Sequence, residues 1–134
     1  MESLQLEKDI KVFYVEALSF PAGVKQAWDD LQKMLPSKVN RCFYGISWMQ
    51  KGNIIYKAGV EETFLGEAER YGCPVFTISA GNYVSETITN YLTNLQAFGP
   101  TFQKLLAVPG RAEDAVCVER YKSDKEVICM VKQK

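Results

Sequence analysis

Ala115-Val116-Cys117-Val118-Glu119-Arg120-Tyr121 is the stretch on which the reading of this chain turns. Its small and branched residues, free of Gly and Pro, have the composition of a β-strand, and side chains on a strand alternate between two faces. Val116 and Val118 take one face; Cys117, Glu119 and Tyr121 take the other. A carboxylate set between a thiol and a phenol is the most informative side chain in the sequence. If that face is solvated, which alternation alone favours, Glu119 is an ordinary surface residue. If it is enclosed, the carboxylate needs a cationic partner, hydrogen-bond donors or a proton, because an unpaired buried charge is costly.

Downstream, Ser123-Asp124-Lys125 reads as a turn and Glu126 to Lys132 as a partner strand. A turn centred on Asp124 sets Cys129 directly across from Glu119 on the same face. Cys129 is then a small wall residue or a reactive thiol, and the wall is the better reading because no base is at hand to activate it. Upstream, Leu95, Phe98, Phe102, Leu105 and Leu106 recur at helical spacing across Gly99-Pro100. A proline is tolerated in the first turn of a short helix and damaging further in, so a short helix starting near Pro100 is the easier reading. A longer, kinked helix reaching back to Ile88 is the alternative. Before it, Pro74 opens a strand running from Val75 to about Ile88, punctuated by Gly81.

The first half repeats this order. Residues Leu6 to Leu18 alternate and read as one strand, broken at Phe20-Pro21-Ala22-Gly23. Val24, Ala27, Trp28, Leu31, Met34 and Leu35 mark the clearest helix, ended by Pro36, with Trp28 on its core stripe and Asp29-Asp30 on its wet side. Cys42 to Met49 and Ile54 to Glu61 form a hairpin about Lys51-Gly52-Asn53, and Thr63 to Gly72 is a connecting loop. The fold class is therefore α+β. Two strand-helix-strand-strand units, about 6–61 and 74–132, form an antiparallel sheet with two helices in one domain of 134 residues. Neither unit alone buries both its sheet and its helix well, which points to packing about a pseudo-twofold axis.

Composition narrows the function. Lys plus Arg and Asp plus Glu are 16 each, so no net field draws nucleic acid or an anionic membrane, and no direct DNA binding is expected. No apolar run nears a membrane span, and the N-terminus lacks a signal core, which reads as a cytoplasmic protein with no membrane partner. The four cysteines are widely spaced and read as reduced thiols. With no histidine, His-dependent triads and mixed zinc sites are excluded, and no Gly-rich phosphate loop is present. No metal or other cofactor is expected.

Phe43-Tyr44-Gly45-Ile46, Tyr56 with Gly59-Val60, Ala80-Gly81-Asn82-Tyr83 and Val118-Glu119-Arg120-Tyr121 occur in an order and spacing similar to a known family. Over about Leu6 to Val131 the chain resembles the gyrase-inhibitor-like small-molecule-binding domain, the effector-binding domain of AraC-type and MerR-type multidrug transcription regulators. The resemblance implies a ligand cleft between the two halves, lined by aromatics, with Glu119 at its base attracting cationic or polar aromatic ligands. It also implies two alternatives: hydrolysis of strained, cyclopropane-containing genotoxins by the same glutamate, or binding to gyrase as a protein partner. The chain has no helix-turn-helix segment, so a separate regulator would have to supply one.

The ring residues expected to line the site are Tyr44, Trp48, Tyr56 and Tyr121, with Cys129 beside Glu119. For any single ring, ordinary packing is the default. Tyr44 and Trp48 are four apart on one strand and share a face. Tyr56 joins them only if the hairpin loop has three residues; a two-residue Lys51-Gly52 turn sets Trp48 opposite Ile55 instead. Tyr83 reads as structural. The ligand expected is a small hydrophobic or cationic organic molecule, held by cation–π attraction and a carboxylate. Were the chain an enzyme, Glu119 would be its catalytic residue, with Tyr121 orienting it.

Overall fold

The aromatic hairpin of the first half closes through a two-residue turn, with Lys51 and Gly52 at φ 51° and 81°. Positive φ at both central residues matches the right-handed twist of the flanking strands. The computed structural model describes residues 1–37 and 40–134. In chain order these form β1 (Glu2–Leu6), β2 (Ile10–Glu16), α1 (Val24–Met34), β3 (Phe43–Gln50), β4 (Asn53–Glu61), α2 (Glu67–Arg70), β5 (Val75–Ile78), β6 (Gly81–Thr89), α3 (Phe98–Leu106), β7 (Cys117–Tyr121) and β8 (Glu126–Lys132). The fold is α+β with antiparallel pairing. Among the described residues no helix is long and apolar enough to cross a membrane.

The chain divides into two compact units, one of Ile10–Ile78 and one of Met1–Asp9 with Ser79–Lys134. In the first, the strands run β3-β4-β2-β5; in the second, β7-β8-β6-β1. Each is a strand-helix-strand-strand motif whose first strand also pairs with one strand from outside the motif, β5 on β2 and β1 on β6. The duplicated strand-helix-strand-strand order is thus present, one copy in each unit, running from β2 to β4 and from β6 to β8.

In the first unit, α1 lies on the face presented by Phe13 and Val15 of β2 and Tyr56, Ala58 and Val60 of β4. Ala27 and Leu31 of α1 are buried against it. Lys25–Asp29 and Gln26–Asp30 bonds one turn apart lie on the exposed side, as the wet reading of Asp29-Asp30 requires. In the second unit, Phe102 and Leu105 of α3 pack on Ile88, Val127, Cys129 and Val131. Pro100 falls in the first turn of this helix, so the short-helix reading holds.

Three expectations change. The strand read over Leu6 to Leu18 is two strands, because Asp9 turns away to accept the Ala80 amide at 2.7 Å and β1 joins the other unit. The strand read over Val75 to Ile88 breaks before Gly81, whose φ of 141° suits glycine and whose missing Cβ would stand 3.0 Å from Lys132 Cε. That bend is pinned by Tyr83, whose hydroxyl donates to the Ser79 carbonyl at 2.7 Å, and by Lys132, which donates to Ser79 Oγ at 2.7 Å. The loop over Thr63 to Gly72 contains the single turn α2.

That turn is anchored by Glu67, whose side chain is 2% exposed. Arg41 donates to it twice, Nη1 to Oε2 at 2.8 Å and Nη2 to Oε1 at 3.0 Å, and the Thr63 amide adds a third bond at 2.9 Å. Burial works to raise the Glu67 pKa, but the Arg41 and Thr63 bonds outweigh it and hold the carboxyl below its ordinary value of 4.5. A depressed carboxyl stabilises the fold above that ordinary value, and the contribution is lost as pH falls through the lower folded value. Glu67→Gln leaves Arg41 buried without its counter-charge, so a loss on the order of 3 kcal/mol is expected at pH 7 by chemical denaturation. The gap to the wild type should narrow as pH falls from the ordinary 4.5 toward the lower folded value, where the folded carboxyl takes its proton. A gap independent of pH would contradict the charge-pair account.

Candidate functional site

β7 and β8 pair in the register read from the sequence: Glu119 lies opposite Cys129, and Tyr121 opposite Val127. The odd positions of both strands face α3, since Cys117, Tyr121, Val127, Cys129 and Val131 all pack in the cluster beneath that helix. Glu119, between Cys117 and Tyr121, looks the same way and is 7% exposed, so the solvated reading of this face is corrected. The Tyr121 hydroxyl donates to Glu119 Oε1 at 2.6 Å, a short bond.

Tyr121 is itself held. The Tyr91 ring meets it edge-on, centroids 5.3 Å apart at 67°, and Tyr91 in turn meets Phe98 at 6.5 Å and 85°. Tyr91 opens a 3-10 turn, Tyr91–Thr93, that follows β6. It is tied to the β7–β8 turn by its hydroxyl, which donates to the Ser123 carbonyl at 3.3 Å, and by the Asn90 amide, which donates to the Lys125 carbonyl at 2.6 Å. Burial, with Asp124 nearby, raises the Tyr91 pKa, so this phenol keeps its proton. The result is a carboxyl group with a hydroxyl donor and two partly exposed phenol rings beside it.

Of the residues singled out from the sequence, the structure brings together Glu119, Tyr121 and Cys129. Tyr44, Trp48 and Tyr56 belong to the other unit and do not share one face. The two-residue turn sets Trp48 opposite Ile55 and Tyr56 opposite Ser47, so Tyr56 faces α1 while Tyr44 and Trp48 face away from it. Tyr56 there accepts a hydrogen bond from Trp28 Nε1 at 3.1 Å and lies 6.0 Å from the Phe20 ring. Tyr44 is fully buried, and Trp48 stacks on Phe76 at 6.0 Å. Tyr91 and Phe98 join the site unexpected, Phe98 from the helical spacing read across Gly99-Pro100. Their signal is the β6–β8 register, which pairs Thr89 with Glu126 and carries residue 91 to the Ser123 turn.

Cys129 is fully buried, and burial together with the Glu119 carboxylate pushes its thiol far above the ordinary range. It is a wall, not a nucleophile. With iodoacetamide at pH 8, the exposed Cys42 should be alkylated first and Cys129 only on unfolding, as read by peptide mass spectrometry. Rapid labelling of Cys129 in the folded protein would contradict this geometry.

No family model matches the sequence, and no curated protein matches it at a significant level. Solved structures do share its fold. An integron cassette protein from the mobile metagenome of Vibrio cholerae superposes with a TM-score of 0.71 at 14% identity, covering 99% of this chain and 95% of that one. A hydrolase from Listeria innocua superposes with a TM-score of 0.55 at 9% identity, covering 99% and 91%. At these identities the likeness is one of fold: the chain shares an antiparallel α+β architecture with both.

Proposed function

We propose that this chain is a small-molecule-binding domain of the gyrase-inhibitor-like kind, which senses or sequesters small organic cations at Glu119. The observation that carries the reading is the buried carboxylate with the Tyr121 hydroxyl at 2.6 Å and the Tyr91 ring braced behind it. A cation over a phenol face gains about 0.5–2 kcal/mol, and a carboxylate largely shielded from water adds a stronger, directional attraction. Such a site takes flat aromatic cations and discriminates modestly among them.

The Glu119–Tyr121 pair also favours a second reading, a hydrolase for strained electrophiles, and one protein of this fold is described as a hydrolase. In that reaction the oxygen of water bonds to the electrophilic ring carbon while the strained carbon–carbon bond breaks. Glu119 takes the proton from water and returns it to the departing carbon, with Tyr121 holding the carboxylate in place.

Fluorescence titration with an aromatic cation such as ethidium tests the first reading. Glu119→Gln should weaken binding about tenfold to a hundredfold, leaving the circular dichroism spectrum and the binding of a neutral aromatic unchanged. Equal affinity for the cation in a folded variant would sink it. Consumption of a cyclopropane-containing electrophile by the wild type, lost in Glu119→Gln, would move the conclusion to the hydrolase.

A further inference from the structure

A second carboxylate and a second set of rings lie in the first unit, on the sheet face turned away from α1. The β2–β4 register puts Glu16 directly opposite Lys57, and β3 sets Ile46 on its other side. The Lys57 side chain is 7% exposed, and its Nζ stands 2.6 Å from Glu16 Oε1. It also lies 4.0 Å from the centre of the Tyr14 ring and 5.1 Å from the centre of the Trp48 ring. Phe76 stacks behind Trp48 and fixes that wall.

An ammonium between two aromatic faces and a carboxylate is the arrangement by which proteins recognise free organic ammonium ions. Here the chain supplies the cation. Burial works against the charge, but hydrogen bonds to Glu16 and Tyr14 more than offset it and raise the Lys57 pKa above its ordinary value of 10.5. The side chain is an ammonium throughout the physiological range. Because it is tethered, its effective concentration exceeds what a free ligand reaches, and the box stays closed to outside cations.

We propose that Tyr14, Trp48 and Glu16 form a primary-alkylammonium site, separate from Glu119, whose resident ligand is the Lys57 side chain. Trp48 is then a ring of this box, already serving a cation of the chain itself. The site is emptied by Lys57→Ala, which removes everything beyond Cβ, a fragment with the composition of n-propylammonium. Adding n-propylammonium should restore the thermal midpoint of that variant saturably and shift its tryptophan emission. Neutral n-propanol should be about tenfold less effective, the difference a cation–π and carboxylate site confers.

Two controls decide the matter. Lys57→Met fills the box with an apolar chain and should fold without responding to n-propylammonium; the wild type should not respond either. In the Lys57→Ala background, Trp48→Leu or Glu16→Gln should abolish the rescue. The proposal is overturned if n-propanol rescues as well as n-propylammonium, or if neither does. It is equally overturned if Lys57→Ala stays unfolded at every n-propylammonium concentration while Lys57→Met folds, because an external ammonium in such a site restores what the side chain supplied.

Discussion

A carboxylate taken out of water must be given hydrogen-bond donors or charge in return, and Glu119 shows how this fold meets that demand. Side chains two apart on a strand share a face and are separated by roughly 6.6 Å along the backbone, a gap a phenol can bridge and a shorter hydroxyl cannot. Tyr121 sits at that distance and donates to Glu119 at 2.6 Å. The same alternation that turns Glu119 under α3 therefore delivers its donor from the same strand. Three neighbours brace this pair. Cys129 closes the wall opposite, Tyr91 supports the Tyr121 ring, and the Ser123 carbonyl holds Tyr91.

The two units solve one construction problem twice. A helix covers one face of a strand-helix-strand-strand motif, and the outer edge of the motif's first strand offers unpaired amides and carbonyls. In both units that edge receives a strand from outside the motif, β5 on β2 and β1 on β6. Charge is handled alike in both. Glu119 is met by a tyrosine, Lys57 by Glu16 and two rings, and Glu67 by Arg41 and the Thr63 amide. Each of these three buried groups comes with its partners, which is the condition under which a small domain can carry them.

What the sequence could convey followed from local rules. The symmetric turn about Asp124 was enough to place Cys129 across from Glu119, and the position of Pro100 was enough to limit α3 to a short helix. The β3–β4 hairpin resisted because its outcome rests on Lys51 adopting a φ of 51°, a conformation for which lysine carries no signal. The enclosure of Glu119 resisted because alternation says which residues share a face and not what covers it. Tyr91 resisted for a related reason: it reaches the site through the pairing of β6 with β8, a contact between segments some forty residues apart. The separation of β1 from β2 depends likewise on partners remote in the chain, with the Asp9 bond to Ala80 as its local mark.

The central proposal is that the Glu119 carboxylate and the Tyr121 and Tyr91 rings together receive a cation. A crystal structure of the protein with bound ethidium addresses it most directly. The account predicts the charged ring system against Tyr91 or Tyr121, with its positive centre within about 6 Å of a Glu119 carboxylate oxygen. Density for the cation elsewhere, with Glu119 and Tyr121 still bonded to each other and untouched by it, would contradict the account.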